Sequence, residues 1–270
     1  MGSLRTEYRS SHSGITIPAT DPSGRGIMMR VASLARRELL TLFVSPVAWT
    51  ITFVFLLVMG MTFHLSLLSV GGDLQQLVPA IYSGYVFWFM MLIFPPLISM
   101  RTLAEERRTG SLEMLVTTGI ADATVITAKW ISTWIFFMFL WLCMLPMWLL
   151  LDGVGQVDFG VLLSAHLGIA LVGAGFCAAG ILASCLTSHP LASAGLAMAI
   201  NLVLFLVEWL RFLYEPGDLQ LRWIEHFSAV HHIGAEMTRG IVDLRVPIWW
   251  VSFTILVLFI ATKVLERRRW

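Results

Sequence analysis

Six long apolar stretches divide the chain between residues 47 and 264. A helix crosses the hydrocarbon core of a bilayer, which is about 30 Å thick, with roughly 20 apolar residues, and each stretch has about that length. The pattern predicts an all-α polytopic membrane protein. Its six predicted transmembrane helices are 47–70, 78–100, 130–151, 161–186, 191–213 and 247–264.

The segment before the first span places apolar residues at helical spacing. Leu34, Leu39 and Leu42 share one side, and polar residues mostly occupy the other, so we predict an N-terminal amphipathic interface helix over 30–43. The Ser45-Pro46 pair should end it, because a residue before proline is driven out of the helical conformation. Its charged candidates for surface contact are Arg36, Arg37 and Glu38.

The overall composition supports the membrane class. The 270 residues are 57% hydrophobic and only 13% charged, well outside the average for soluble globular domains. Residues 1–28 are polar and have no apolar period, so we predict a disordered tail at 1–28 and a membrane-spanning domain at 29–270. The cysteines lie within apolar stretches, where a thiol acts as a small hydrophobic group, and indicate neither a disulfide nor a metal site.

The distribution of Lys and Arg predicts the orientation of the chain. Most of these residues flank one set of span ends, which includes both termini and the segment 101–129. The opposite side carries only Arg211, Arg222, Arg239 and Arg245. By the positive-inside rule, both termini and the 101–129 segment are expected in the cytoplasm.

A densely charged segment joins the second and third predicted spans. Its charged centre is Glu105, Glu106, Arg107 and Arg108. Pro95-Pro96 should kink the second helix where it leaves the membrane. A break at Gly110, a short helix over 111–116 and an N-cap at Asp122 would then form a cytoplasmic elbow. For a charge run alone, a solvated loop is the simpler interpretation.

Three segments together carry a family resemblance. Residues 100–118, MRTLAEERRTGSLEMLVTT, resemble the signature inner loop of ABC-2 type transporter permeases, especially of the gliding-motility branch. Residues 35–48 resemble the first helix of that branch, and 238–245 with 265–270 resemble its last outer loop and C-terminus. Gly119 stands where a proline is common in the branch.

The resemblance implies the transmembrane permease subunit of an ABC exporter in the cytoplasmic (inner) membrane of a bacterium. Its inner elbow would be a coupling helix, seated in a groove of a separate ATPase subunit that binds ATP and Mg. The residues assigned to this ATPase-coupling interface are Glu105, Glu106, Arg107, Arg108, Gly110, Leu112, Glu113, Met114 and Leu115. Neither Lys129 nor Lys263 follows a glycine, so the chain has no phosphate-binding loop, and we expect neither enzyme activity nor a cofactor in it.

The fourth and fifth predicted spans are rich in Gly and Ala, which lets helices pack closely. Two interpretations are open: packing within one subunit, or packing against a second permease, as a homodimer or heterodimer, since family members work as dimers. Membrane lipid is an expected partner and nucleic acid is not. Asn201 could bond a neighbouring helix or touch cargo, while Glu208 and Arg211 most simply pair with each other.

The outer segment 214–246 is expected to lie on or dip into the outer leaflet. Its His and Glu residues follow no established ligand spacing, so we favour interfacial polar residues over a metal site. Two other functions are weighed. An intramembrane protease of the kind with paired glutamates is disfavoured, because Gly110 stands four residues after Glu106, where such a protease would carry an arginine. A non-transporting permease that passes ATP-driven motion to periplasmic partners is the alternative.

Overall fold

The computed structural model describes residues 24–71, 73–100, 102–104, 121–153, 155, 157–207, 228–240 and 243–267. Within these ranges all regular structure is helical. Several predictions therefore lie outside the described residues in whole or in part. They are the tail before residue 24, the ATPase-coupling residues between 105 and 115, the end of the fifth predicted span with the Glu208–Arg211 pair, and residues 214–227 of the outer segment.

Nine α-helices are found in the described part of the chain. They are α1 (Gly24–Val44), α2 (Pro46–Ser69), α3 (Leu74–Tyr82), α4 (Tyr85–Ser99), α5 (Asp122–Leu142), α6 (Leu145–Asp152), α7 (Phe159–Leu186), α8 (Pro190–Leu206) and α9 (Arg245–Arg267). Between α8 and α9, residues 228–240 form a short α-turn, a π-helix and a 3₁₀ turn in succession. We call this the 228–240 segment.

Four helical stretches of the described part are long and apolar enough to cross a membrane: α2, α5 with α6, α7 and α9. α3 and α4 form a fifth candidate, bent by 47°. α8 is apolar but shorter, and the fifth predicted span, 191–213, continues outside the described residues. The multi-pass helical class is confirmed, whereas the count of six spans stays a prediction.

The break between the first two helices lies where the sequence predicts it. α1 ends at Val44, Ser45 is extended, and Pro46 opens α2, a position that suits proline because the first helical N–H needs no partner within the helix. α1 begins at Gly24, which is earlier than the predicted start at residue 30. Its placement at a membrane surface remains a prediction.

The second predicted span is bent near its start, at a place that the sequence analysis did not predict. The 47° bend lies between Tyr82 and Tyr85, at Ser83-Gly84. Gly84 is extended and precedes the first residue of α4, so the hydrogen-bond ladder is interrupted there. α4 continues through Pro95-Pro96 to Ser99, although a proline removes a backbone donor.

The third predicted span also differs in detail. The helix begins at Asp122, eight residues before the predicted span, and the N-cap position is Ala121 rather than Asp122. Asp122 instead lies in the first turn, where a carboxylate is favoured by the helix dipole. The helix breaks after Leu142, and Pro146 lies in the first turn of α6.

α7 is the central helix of the bundle, and most of its residues are buried. α2 and α9 lie at the periphery and expose large apolar side chains such as Leu57, Leu65, Ile255 and Phe259. Soluble monomers rarely expose apolar patches of this extent, so these faces suit contact with lipid. Edge-to-face aromatic contacts join α2, α4 and α5, as between Phe55 and Trp141 at 5.0 Å.

Candidate functional site at the base of the charged loop

The first residues of the charged loop are fixed to the central helix. The backbone N–H groups of Leu103 and Ala104 both donate to Ser184 Oγ of α7, each at 3.0 Å. All three residues are fully buried. Because a buried N–H without a partner is costly, one hydroxyl on α7 determines where the chain can leave the helix bundle.

An apolar cluster surrounds this anchor and joins three spans. It consists of Leu103, Ile126, Ile181, Cys185, Ala261 and Leu265. These residues come from the loop, α5, α7 and α9, so one buried contact set connects the loop to helices that are far apart in sequence. A displacement of Leu103 must therefore disturb all three helices, because closely packed interiors transmit strain.

α4 approaches α7 closely just before the loop begins. A Cβ on Gly180 would overlap the Oγ atom of Ser99 and would lie 2.7 Å from its Cβ atom. Ser99 Oγ donates to the carbonyl of Pro95 at 2.7 Å, and Thr102 Oγ1 donates to the carbonyl of Ser99 at 2.8 Å. These two hydroxyl groups therefore hydrogen-bond to backbone carbonyls at the C-terminal end of α4, where Pro95 and Pro96 remove backbone donors.

The other end of the loop is tied to α1. Lys129 of α5 lies 3.2 Å from a carboxylate oxygen of Glu38, and the side chain of Lys129 is only 1% exposed. Phe43 of α1 makes edge-to-face contacts with Phe136 and Phe139 of α5, at 5.2 and 5.0 Å. Among the three charged residues predicted for the interface helix, Glu38 thus pairs with α5, whereas Arg36 and Arg37 are exposed.

The other predicted polar candidate within the described residues is Asn201. Its side chain is fully buried on α8, and both amide atoms lack a hydrogen-bond partner in the described part of the protein. The residues predicted for the ATPase-coupling interface, and Glu208 and Arg211, lie outside the described residues. The structure therefore brings Glu38 to Lys129 of α5, and it places Asn201 elsewhere, within the bundle.

The 228–240 segment, expected on or in the outer leaflet, packs against α3 and α7. Ser164 Oγ of α7 donates to the carbonyl of Met237 at 2.6 Å, and Gly168 lies against Met237 and Ile233. Trp250 Nε1 donates to His232 Nδ1 at 3.2 Å. No group of three or more His, Cys, Asp or Glu residues that could hold a metal occurs within the described ranges.

Sequence reasoning did not single out Ser184, Gly180 or the Glu38–Lys129 pair. The small residues of the fourth span signalled close packing, but they did not show which helix approaches them. The geometry at the loop base holds no nucleophile and base in contact among the described residues. It can carry force, because it fixes both ends of a loop to a packed bundle.

Comparison with known proteins identifies the family of the chain. A search of curated proteins gives no match. The family model described as "ABC-2 family transporter protein" matches residues 61–265, a range that takes in α3 to α8, the charged loop, the 228–240 segment and nearly all of α9. The chain therefore belongs to the ABC-2 family of transporter proteins.

Proposed function

We propose that this chain is the permease subunit of an ABC-2 type exporter and that ATP hydrolysis on a separate subunit drives its movement. Membership of the family implies a partner ATPase. The chain itself carries no phosphate-binding motif. We expect the pair to sit in the inner membrane of a bacterium, with both termini and the charged loop in the cytoplasm.

The anchoring of the loop base on α7 carries this proposal. A loop that only balances the charge at the membrane surface has no need of a buried attachment, and surface charges contribute little to stability. Here Leu103 and Ala104 are buried and hydrogen-bonded to Ser184. A push on residues 105–120 would consequently reach α5, α7 and α9 through the apolar cluster.

The charged loop supplies chemistry that suits a protein partner. Two carboxylates followed by two guanidinium groups, from Glu105 to Arg108, would set the register of the contact, while Leu112, Met114 and Leu115 would anchor it. α1 would follow the movement, because Glu38 holds it to Lys129. A second permease copy, or a related permease, would complete the transporter.

The proposal is tested by co-expressing the chain with a candidate ATPase subunit from the same genome. Glu106→Arg and Leu115→Asp should abolish co-purification and the stimulation of ATPase activity by the permease, while membrane insertion remains intact. Arg245→Glu is the matched control, because Arg245 is exposed at the start of α9. Unchanged co-purification and unchanged ATPase activity in both loop variants would overturn the proposal.

A further inference from the structure

α5, α7 and α9 enclose a groove of about 870 Å³ on the flank of the bundle. We call it the α5–α9 groove. Trp130 and Leu258, which line it, also pack against the apolar cluster at the loop base. Its floor is formed by α7, where Ala170 and Ala174 lie beside Leu167 and Leu171. Trp130 and Trp134 of α5 form one wall, and α9 forms the other. All three helices are candidate membrane spans, so the groove opens toward lipid.

The two tryptophans direct their polar atoms into the protein rather than into the groove. Trp130 Nε1 donates to the carbonyl of Ala174 at 3.0 Å, and Trp134 Nε1 donates to the carbonyl of Ala170 at 2.9 Å. Their rings stack with centroids 6.0 Å apart and planes inclined by 12°. The indoles therefore form a continuous apolar wall whose N–H groups are already satisfied.

The hydroxyl groups that line the groove are satisfied in the same way. Thr127, Thr254 and Thr262 each donate to a backbone carbonyl four residues earlier, at 2.7, 2.7 and 2.9 Å. Desolvating a polar ligand without returning its hydrogen bonds is unfavourable. These threonine hydroxyls already donate to the backbone of their own helices. The groove therefore favours a hydrocarbon ligand over a polar or peptidic one.

Charge is present at one end of the groove only. Among its described lining residues, Lys263 and Glu266 carry the charge, and they form an exposed ion pair of 2.7 Å near the end of α9. Lys263 also lies 5.8 Å from the ring centroid of Phe259. From Lys263 to Trp250 the groove follows α9 for about 20 Å, which exceeds half the roughly 30 Å hydrocarbon core of a bilayer.

We propose that the α5–α9 groove binds one phospholipid with a zwitterionic, amine-bearing headgroup, such as phosphatidylethanolamine. One acyl chain lies along Ala170 and Ala174 beside the stacked indoles. The phosphate faces the Lys263 ammonium and the headgroup amine faces the Glu266 carboxylate. Because Lys263 and Glu266 lie at the end of α9 that packs against Leu103 through Ala261 and Leu265, the lipid lies in the leaflet on the same side as the charged loop.

A transmembrane helix of a second copy fits this groove less well than an acyl chain. α5 and α9 contact each other, and helices in contact lie about 8–10 Å apart at their axes. A helix with its side chains is about 10–12 Å wide, so it would touch only the rim. A single acyl chain is narrow enough to reach the alanines on the floor.

Native mass spectrometry of the full-length protein, purified in mild detergent, tests the proposal. Wild type should retain one phosphatidylethanolamine per chain. Ile255→Trp, which adds bulk from the α9 wall, should lower the retained fraction about tenfold, a change of about 1.4 kcal/mol. Leu256→Trp is the matched control, because Leu256 is similarly exposed on α9 and does not line the groove; it should retain the lipid.

A second variant tests the headgroup contact. Lys263→Gln with Glu266→Gln should weaken retention by only a few-fold, since exposed ion pairs contribute little, and should remove the preference for phosphatidylethanolamine over phosphatidylglycerol. Equal lipid loss in Ile255→Trp and Leu256→Trp, no lipid on the wild type, or a wild-type preference for phosphatidylglycerol would overturn the proposal. So would a dimer whose cross-links pass through Ile255. Size-exclusion profiles establish that each variant is folded.

Discussion

Glu38 of α1 and Lys129 of α5 form an ion pair of 3.2 Å in which the lysine side chain is 1% exposed and the glutamate side chain 21% exposed. The pair holds α1 to the first two turns of the helix that follows the charged loop. Burying a charge is unfavourable unless it is paired, so loss of the carboxylate would leave the Lys129 ammonium with less compensation. α1 is thus bound to the helix that follows the charged loop.

Glu38→Gln should lower the stability of the purified protein by about 1–3 kcal/mol, because it removes the charge that faces a buried ammonium. The matched control is Arg37→Gln, which changes the neighbouring exposed residue and should shift stability by less than about 0.5 kcal/mol. Thermal unfolding in detergent measures both. Equal melting temperatures for the two variants would contradict a structural role for the pair.

Ser184→Ala should loosen the base of the charged loop. The substitution leaves the N–H groups of Leu103 and Ala104 without the acceptor they share, at a cost of about 1–3 kcal/mol. If the loop couples to an ATPase, stimulation of the ATPase should fall while binding of the ATPase persists, since the loop surface is unchanged. Co-purification and ATPase assays on the same preparation separate the two effects.

Ser132→Ala is the control for that variant. Ser132 is equally buried on α5, but among the described residues its hydroxyl donates to Lys129 O, within its own helix. Its replacement should change stability by less than about 0.5 kcal/mol and leave coupling intact. A loss of coupling in Ser132→Ala as large as that in Ser184→Ala would show that any buried hydroxyl near the loop has this effect.

Gly180→Ala should separate α4 from α7, because the added methyl group would overlap Ser99. Overpacking a closely packed interface costs about 1–3 kcal/mol. Gly195→Ala on α8 meets nothing within 4 Å and should instead stabilise by up to about 1 kcal/mol, since alanine is the better helix former. Melting temperatures that shift in opposite directions are the expected result; a stabilised Gly180→Ala variant would contradict the close approach.

Asn201→Leu should raise the stability of the isolated protein by about 1–3 kcal/mol. Both amide atoms of Asn201 are buried without a partner in the described residues, and an apolar side chain of similar volume removes their desolvation cost. Thermal unfolding measures the shift. A variant that is more stable but no longer stimulates the ATPase would show that Asn201 is needed for the coupling between permease and ATPase. A lower melting temperature would mean that the folded protein satisfies the amide, as a second permease would.

The sequence determines much of this fold through local signals. Proline at position 46 and the extended Ser45 define the break between α1 and α2, and apolar length alone locates α2, α7 and α9. The bend at Ser83-Gly84 was harder to predict, because one Ser-Gly pair within an apolar stretch is a weaker signal of a helix break than the Pro95-Pro96 pair. In the structure the prolines lie within α4, near its end, and the glycine lies where the helix is interrupted.

Contacts between distant residues could not be predicted. In the sequence, Ser184 is one of many small residues in a Gly- and Ala-rich span. Only the folded structure shows that the amides of Leu103 and Ala104 lie beside it. Lys129 reads as a residue at the membrane boundary, and its partner Glu38 is ninety-one positions away. Helical periodicity shows which side of a helix is apolar but does not identify the helix that will cover it.

α7 holds a hydroxyl anchor near each of its ends. Ser184 receives the amides at the base of the charged loop, and Ser164 donates to the carbonyl of Met237 in the 228–240 segment. The two serines are about 30 Å apart along the axis, close to the hydrocarbon thickness of a bilayer. A tilt of α7 about its midpoint would move these two anchors in opposite directions. A rigid α7 would in this way transmit motion from one face of the membrane to the other.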